Sequence, residues 1–341
     1  MSDLSATALA TQYLGLELSG PIVASASPLT GDVETLKRLE AAGTAAVVLP
    51  SLFEEEVIDE ELSLHASLEQ GRDSFPESMN FLPEVNLGEL GPDRHVRLVS
   101  EAKAALGIPV IASVNAAHRG SWSRYATMLG DAGADAIELN IYAVAADPRR
   151  SAADVEAGYL EIISEVKSAV QVPLTVKLSP YFSSTAHFAA SAVDVGANGL
   201  VLFNRFYQPD LDLQSLSVQP RVDLSDAREL RLPLRWLAIL RPQLPSTSLA
   251  ASSGVHSAAD VLKTLLVGAD VACMTSAVLR HGPEHVASVL TEIRRWLTER
   301  DYESIAQLRG SLSAAGAEDP SAFERSNYRK VLSSYQPVLT W

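Results

Sequence analysis

Cysteine is nearly absent from this 341-residue sequence, and its single thiol, Cys273, already excludes several kinds of chemistry. One thiol forms no internal disulfide and cannot supply the four thiolates of an iron–sulfur cluster or the several of a cysteine-rich zinc site. Any redox centre is therefore organic or non-cysteinyl. Positive charge is scarce too: 27 Lys and Arg stand against 42 Asp and Glu, a formal charge of −15 with a pI near 4.9. That balance repels phosphate backbones and anionic bilayers, so neither nucleic acid nor a membrane is an expected partner. No run of about eighteen uncharged apolar residues occurs, and the N-terminus has neither the basic start nor the apolar stretch of a signal peptide. A cytoplasmic protein is expected.

What is present is a globular composition, 47% hydrophobic and 20% charged, enough to bury a large core. Short apolar, β-branched runs alternate with stretches of helical period, the sequence form of repeated β-α units with buried parallel strands. Eight runs occur, at 21–24, 45–49, 109–113, 136–139, 174–177, 199–203, 248–251 and 270–274. Helical stretches follow them at 33–42, 94–106, 123–132, 152–169, 186–195, 233–240, 258–266 and 283–299. Eight such units predict a TIM (β/α)8 barrel with long loops on its catalytic face and a C-terminal helical extension. Gly43, Gly133 and Gly268 each stand where a helix must end and turn into a strand. The barrel is expected to occupy 1–312. The tail, 313–341, is expected to pack on the barrel or on a second subunit in a homodimer. Two loops interrupt the pattern. The first, 53–92, carries Glu54, Glu55, Glu56, Asp59, Glu60 and Glu61, read as a solvated face; the second, 207–232, lies on the catalytic side.

Barrel enzymes carry their working groups at the C-terminal ends of the strands. Those ends read Ser25, Ser51, Asn115, Asn140, Lys177, Asn204, Ser253-Gly254 and Thr275-Ser276. A lysine between apolar neighbours at a barrel mouth is partly desolvated, so Lys177 should face an anion. Small hydroxyl residues and glycine after the last two strands suit a phosphate. No acidic residue ends a strand, which disfavours a divalent metal site or a carboxylate-pair hydrolase. A phosphorylated cofactor with a lysine near its ring system fits better.

Four segments carry a family resemblance: Pro-Leu-Thr-Val-Lys-Leu-Ser-Pro-Tyr-Phe at 173–182, Gly-Ala-Asp-Val-Ala-Cys-Met-Thr-Ser-Ala at 268–277 with His281-Gly282-Pro283, 301–310, and Glu138-Leu-Asn-Ile. Together they resemble the class 1 dihydroorotate dehydrogenases, over about 13–312. The resemblance implies an FMN-containing barrel that oxidises or reduces a carbon–carbon bond of a pyrimidine ring. It would set Lys177 at the flavin pyrimidine edge, Ala24, Ser25 and Ser51 along the flavin and Asn115 near its ring. Ser253, Gly254, Thr275 and Ser276 would hold the phosphate, while Asn140 and Asn204 face the substrate. Without cluster ligands, the chain would need an external electron acceptor or donor.

The departures from the family pattern are as informative. Pro50 replaces a lysine after strand two, Ser253-Gly254 replaces a glycine pair, Thr275-Ser276 replaces Gly-Thr, and a glycine-rich stretch after strand six is missing. Ala143 stands where the family has its catalytic cysteine, and Ala145 where it has a substrate-binding asparagine. Cys273, inside strand eight, reads as a core thiol. Tyr142, beside the lost cysteine, and His118 are the candidates for proton transfer, and Arg205 could bind a substrate carboxylate. Two further readings stay open: a redox-silent FMN- or metabolite-binding barrel with a regulatory or scaffolding role, and a flavin-free lyase or isomerase on a phosphorylated substrate.

Overall fold

The structure, a computed structural model, describes residues 6–53, 56, 92–116, 122–141, 143–205, 208–219, 221–324 and 328–334. After a 3-10 turn at Ala6–Leu9 comes an antiparallel hairpin, β1 (Thr11–Tyr13) and β2 (Leu16–Leu18), turning through Leu14 and Gly15, both at positive φ. There follow β3 (Ile22–Ala24), β4 (Ala46–Phe53), β5 (Val110–Ala116), β6 (Ala136–Ile141), β7 (Leu174–Leu178) and β8 (Gly199–Leu202). A small exposed hairpin, β9 (Asp210–Asp212) with β10 (Ser217–Gln219), precedes β11 (Ser248–Ala251) and β12 (Val271–Met274). The eight parallel strands other than the two hairpins close into the expected barrel, β12 pairing with β3 and β8 with β11.

The barrel is ringed by α1 (Val33–Ala41), α2 (Pro92–Ala105), α3 (Trp122–Asp131), α4 (Ala152–Ala169), α5 (Thr185–Asp194), α6 (Arg231–Leu240) and α7 (Ala258–Leu266). After β12 come α8 (Ser276–His281), α9 (His285–Glu299), α10 (Ile305–Leu308) and α11 (Tyr328–Ser334). On α9 the buried residues Val286, Val289, Leu290, Ile293 and Leu297 recur at helical spacing and form the stripe that packs inward. Gly43, Gly133 and Gly268 all take positive φ, and at Gly268 a Cβ would collide with the Arg241 side chain.

Several elements differ from the sequence pattern. Strand β4 runs on to Phe53, with a register shift between Val48 and Ser51, because Pro50 has no N–H to give the ladder. The β1–β2 hairpin was not expected. It plugs the bottom of the barrel: Tyr13, Leu14 and Leu18 pack with Val23, Ile111, Val201 and Cys273 in an interior cluster. The Leu14 N–H donates to Ser248 Oγ at 2.8 Å, and Tyr13 Oη lies 3.2 Å from Thr175 Oγ1. The C-terminal segment divides in two. Phe323 packs against the outer core, while Tyr328, Val331 and Leu332 of α11 are more than half exposed. Of the acidic loop only Glu56 is described, its carboxylate 3.1 Å from His95 Nε2; the rest of that run lies outside the described residues.

A buried carboxylate ties the C-terminal extension to the strands. Asp270, just before β12, accepts from Arg241 Nη2 and the Leu249 N–H, at 2.8 and 2.7 Å, and pairs with Arg309. Burial lowers the Arg241 pKa, and the nearby Asp270 carboxylate opposes that shift. Asp270→Ala leaves two guanidinium groups and a strand N–H without their acceptor. We expect it to cost about 3–5 kcal/mol, read as a lower urea midpoint. An unchanged midpoint would show that the cluster does not hold the extension.

Candidate active site

The pleat decides which strand residues can meet. Successive side chains point to opposite faces, so Ser113 and Asn115, Glu138 and Asn140, and Thr175 and Lys177 form pairs that share one face of their strands. Pairing register then levels them: Asn115 stands opposite Asn140, and Asn140 opposite Lys177. The upper interior is thereby polar, while its lower half is closed by the N-terminal hairpin.

Lys177 is buried, and the anion it faces belongs to this chain. Its Nζ lies 3.3 Å from Glu138 Oε1 and 3.4 Å from Ser25 Oγ, with Glu138 almost fully buried. The sequence placed Glu138 only within a motif; the barrel interior makes it the lysine's counter-ion. Cys273 faces the same interior. Burial, and then the nearby Glu138 carboxylate, push its thiol up to about 12, against a smaller lowering by Lys177. It is therefore a neutral thiol at ordinary pH and no nucleophile or base.

Ser25, Lys177, Asn204, Arg205, Ser253, Gly254, Thr275 and Ser276 come together around one cavity of about 170 Å³, joined by Ser225 and Cys273. Ser253 and Gly254 both take positive φ, +72° and +78°, so the serine adopts the left-handed conformation that glycine accepts most readily. A Cβ on Gly254 would strike the backbone of Leu230, which is how the loop bearing Ser225 approaches so closely. Ser225, which sequence reasoning missed, bridges to the start of α8: its N–H and Oγ reach Ser276 Oγ at 3.1 and 2.9 Å, and its Oγ is 3.3 Å from His256 Nε2. Only its place in the loop on the catalytic side hinted at it. The two helices at this edge differ in their ends. In α7 the Ser257–Asp260 capping box occupies the first-turn donors, whereas Thr275 gives α8 no side-chain cap. Backbone donors and hydroxyls thus remain at the cavity edge, the donor set a phosphate needs.

Asn140 joins the cavity through Asn204, whose Nδ2 donates to its Oδ1 at 2.7 Å. Arg205 is half-exposed, its Nε 3.1 Å from Glu229. The remaining residues fall elsewhere. Ala24 faces outward into the core between strands and helices, because Ser25 takes the inward face; the contribution of β3 is Ser25 and Ala26. Ser51 and Asn115 are buried on the β4–β5 side, off the cavity wall, with Ser51 Oγ 2.7 Å from Ser113 Oγ. Ala143 and Ala145 line a different cavity of about 510 Å³, with Arg150, Tyr159, Tyr181 and Phe182. Tyr142 and His118 lie outside the described residues.

The family model described as dihydroorotate dehydrogenase matches residues 8–297. The catalytic subunit of dihydroorotate dehydrogenase B (NAD(+)) from Thermoplasma volcanium is 24% identical over 326 residues, covering 91% of this chain and 98% of its own length. The dihydroorotate dehydrogenase A (fumarate) of Lactobacillus helveticus is 24% identical over 311 residues, 87% of this chain and 96% of its own. These relatives differ in the co-substrate their names carry yet are equally similar to the chain, so similarity assigns neither co-substrate to it.

Proposed function

This chain belongs to the dihydroorotate dehydrogenase family, and from that premise we propose that it is an FMN-dependent oxidoreductase acting on a CH–CH bond of a dihydroorotate- or dihydropyrimidine-like ring. The observation that carries the reading is the single cavity joining Lys177 to the uncapped start of α8. The donor set suits the cofactor phosphate: Ser253, Gly254, Thr275 and Ser276 offer backbone N–H groups and hydroxyls, with no carboxylate among the residues lining the cavity to repel it. Bound there, FMN supplies a hydride acceptor or donor at its N5. Lys177, steadied by Glu138, places a positive charge where the reduced ring gains negative charge. Asn140 and Asn204, locked to each other, keep one amide donor and one carbonyl acceptor for a substrate's ring amide. Arg205, on the wall of the same cavity, meets a substrate anion. Ala143 can neither take nor give a proton, so that role passes to Tyr142 or His118. A small-molecule substrate and an external electron acceptor or donor complete the reaction.

Purified protein is expected to be yellow, or to become so on adding FMN, and to be photoreducible. Reoxidation or reduction is then followed against a panel of cyclic enamides and their dihydro forms. Colourless protein without measurable FMN affinity would overturn the reading. Tight FMN with no active couple in the panel would favour the redox-silent barrel, to which the missing base at Ala143 already points.

A further inference from the structure

A second cavity, of about 460 Å³, adjoins the one described and shares Asn204, Arg205 and Ser253 with it. Its wall gathers three guanidinium groups, Arg205, Arg228 and Arg231, against one carboxylate, Glu229. Arg228 also pairs with Asp226, at 2.8 Å. Three positive and two negative groups leave an excess of one positive charge, in a chain whose net charge is −15. Two of the three forks keep donors to spare. Arg205 engages Glu229 through Nε, and Arg231 has no ion-pair partner among the described residues. Gln208 adds an amide beside the shared Asn204 and Ser253, and the remaining wall is apolar or aromatic, with Phe203 buried and Tyr181 at the edge.

From this geometry we propose that the cavity binds a phosphorylated ring compound of nucleotide type. A carboxylate is satisfied by one guanidinium fork, whereas a phosphate presents oxygens to several, and the aromatic and apolar wall suits a ring attached to it. The volume lies within the usual range for small-molecule sites, about 300–1,000 Å³. That the ligand serves as the second substrate of the flavin rests on the function proposed above; the binding itself does not.

The test is a calorimetric titration of ADP into FMN-saturated protein, with adenosine as the uncharged control. ADP is expected to bind one to one and adenosine at least about tenfold more weakly, since the charge-assisted contacts are lost. Arg231→Glu, at an exposed position, should weaken ADP by about tenfold or more while leaving thermal stability and FMN affinity unchanged. Absence of ADP binding, or an Arg231→Glu protein that titrates like the parent, would overturn the proposal. If the protein takes up no FMN, the flavin reading fails, and the same titration on the protein as purified still decides this one through its dependence on Arg231.

Discussion

Flavin-loaded protein mixed with dihydroorotate in a stopped-flow instrument is expected to be reduced about a hundredfold to ten-thousandfold more slowly than family members that carry the thiol. That range is what a positioned proton acceptor contributes, and Ala143 has none. Cys273 cannot take over, since burial and Glu138 hold its thiol protonated at about 12. Loss of the asparagine at Ala145 removes substrate hydrogen bonds as well. A different dihydropyrimidine-like or cyclic enamide couple should therefore reduce the flavin much faster. Ala143→Cys separates the two causes. If the pocket still accepts orotate, the restored thiol raises the dihydroorotate rate; if the substrate differs, it changes nothing. Reduction of the parent protein by dihydroorotate at ordinary enzymatic turnover, about 1–1,000 per second, would overturn the prediction and move attention to Tyr142 or His118.

Lys177→Met is expected to destabilise the fold by about 3–5 kcal/mol, because it leaves the Glu138 carboxylate buried with no counter-charge. Pairing it with Glu138→Leu should recover most of that loss, since an apolar pair is commonly as stable as a buried ion pair. Denaturation midpoints of the single and double variants check this without reference to activity. A Lys177→Met midpoint equal to the parent's would show that Glu138 needs no partner. Where flavin is bound, the same logic sets its potential. Lys177→Met should lower it and Glu138→Gln should raise it, each by some tens of millivolts, since about 30 mV corresponds to 1.4 kcal/mol for two electrons. Shifts in the same direction for both variants would remove the pair from the cofactor's surroundings.

The barrel was legible because its signals are local. Eight apolar runs alternating with stretches of helical period can be buried on both faces only as parallel strands under helices, and glycines at 43, 133 and 268 mark where the helices end. Strand ends were legible for the same reason, so Lys177, Asn204, Ser253 and Thr275 could be singled out before any geometry. The N-terminal hairpin was not, because three-residue strands are too short to show a period. Ala24 was misplaced by a single residue, and in a strand one residue is the difference between the inward and outward face.

Residue types, periods and turn positions are properties of short stretches, and they sufficed for the fold class, the rim of candidate residues and the absence of a thiol base. Partners are not such properties. Glu138 and Lys177 stand 39 residues apart, Ser225 and Ser276 51 apart, and the meeting of Arg205 with Arg228 and Arg231 depends on how the loop after β8 returns to the start of α6. Those pairings exist only once the barrel closes, because closure fixes which inward-facing side chains share one low-dielectric interior. There the electrostatic cost of an unpaired charge, negligible along an extended chain, selects the counter-ion.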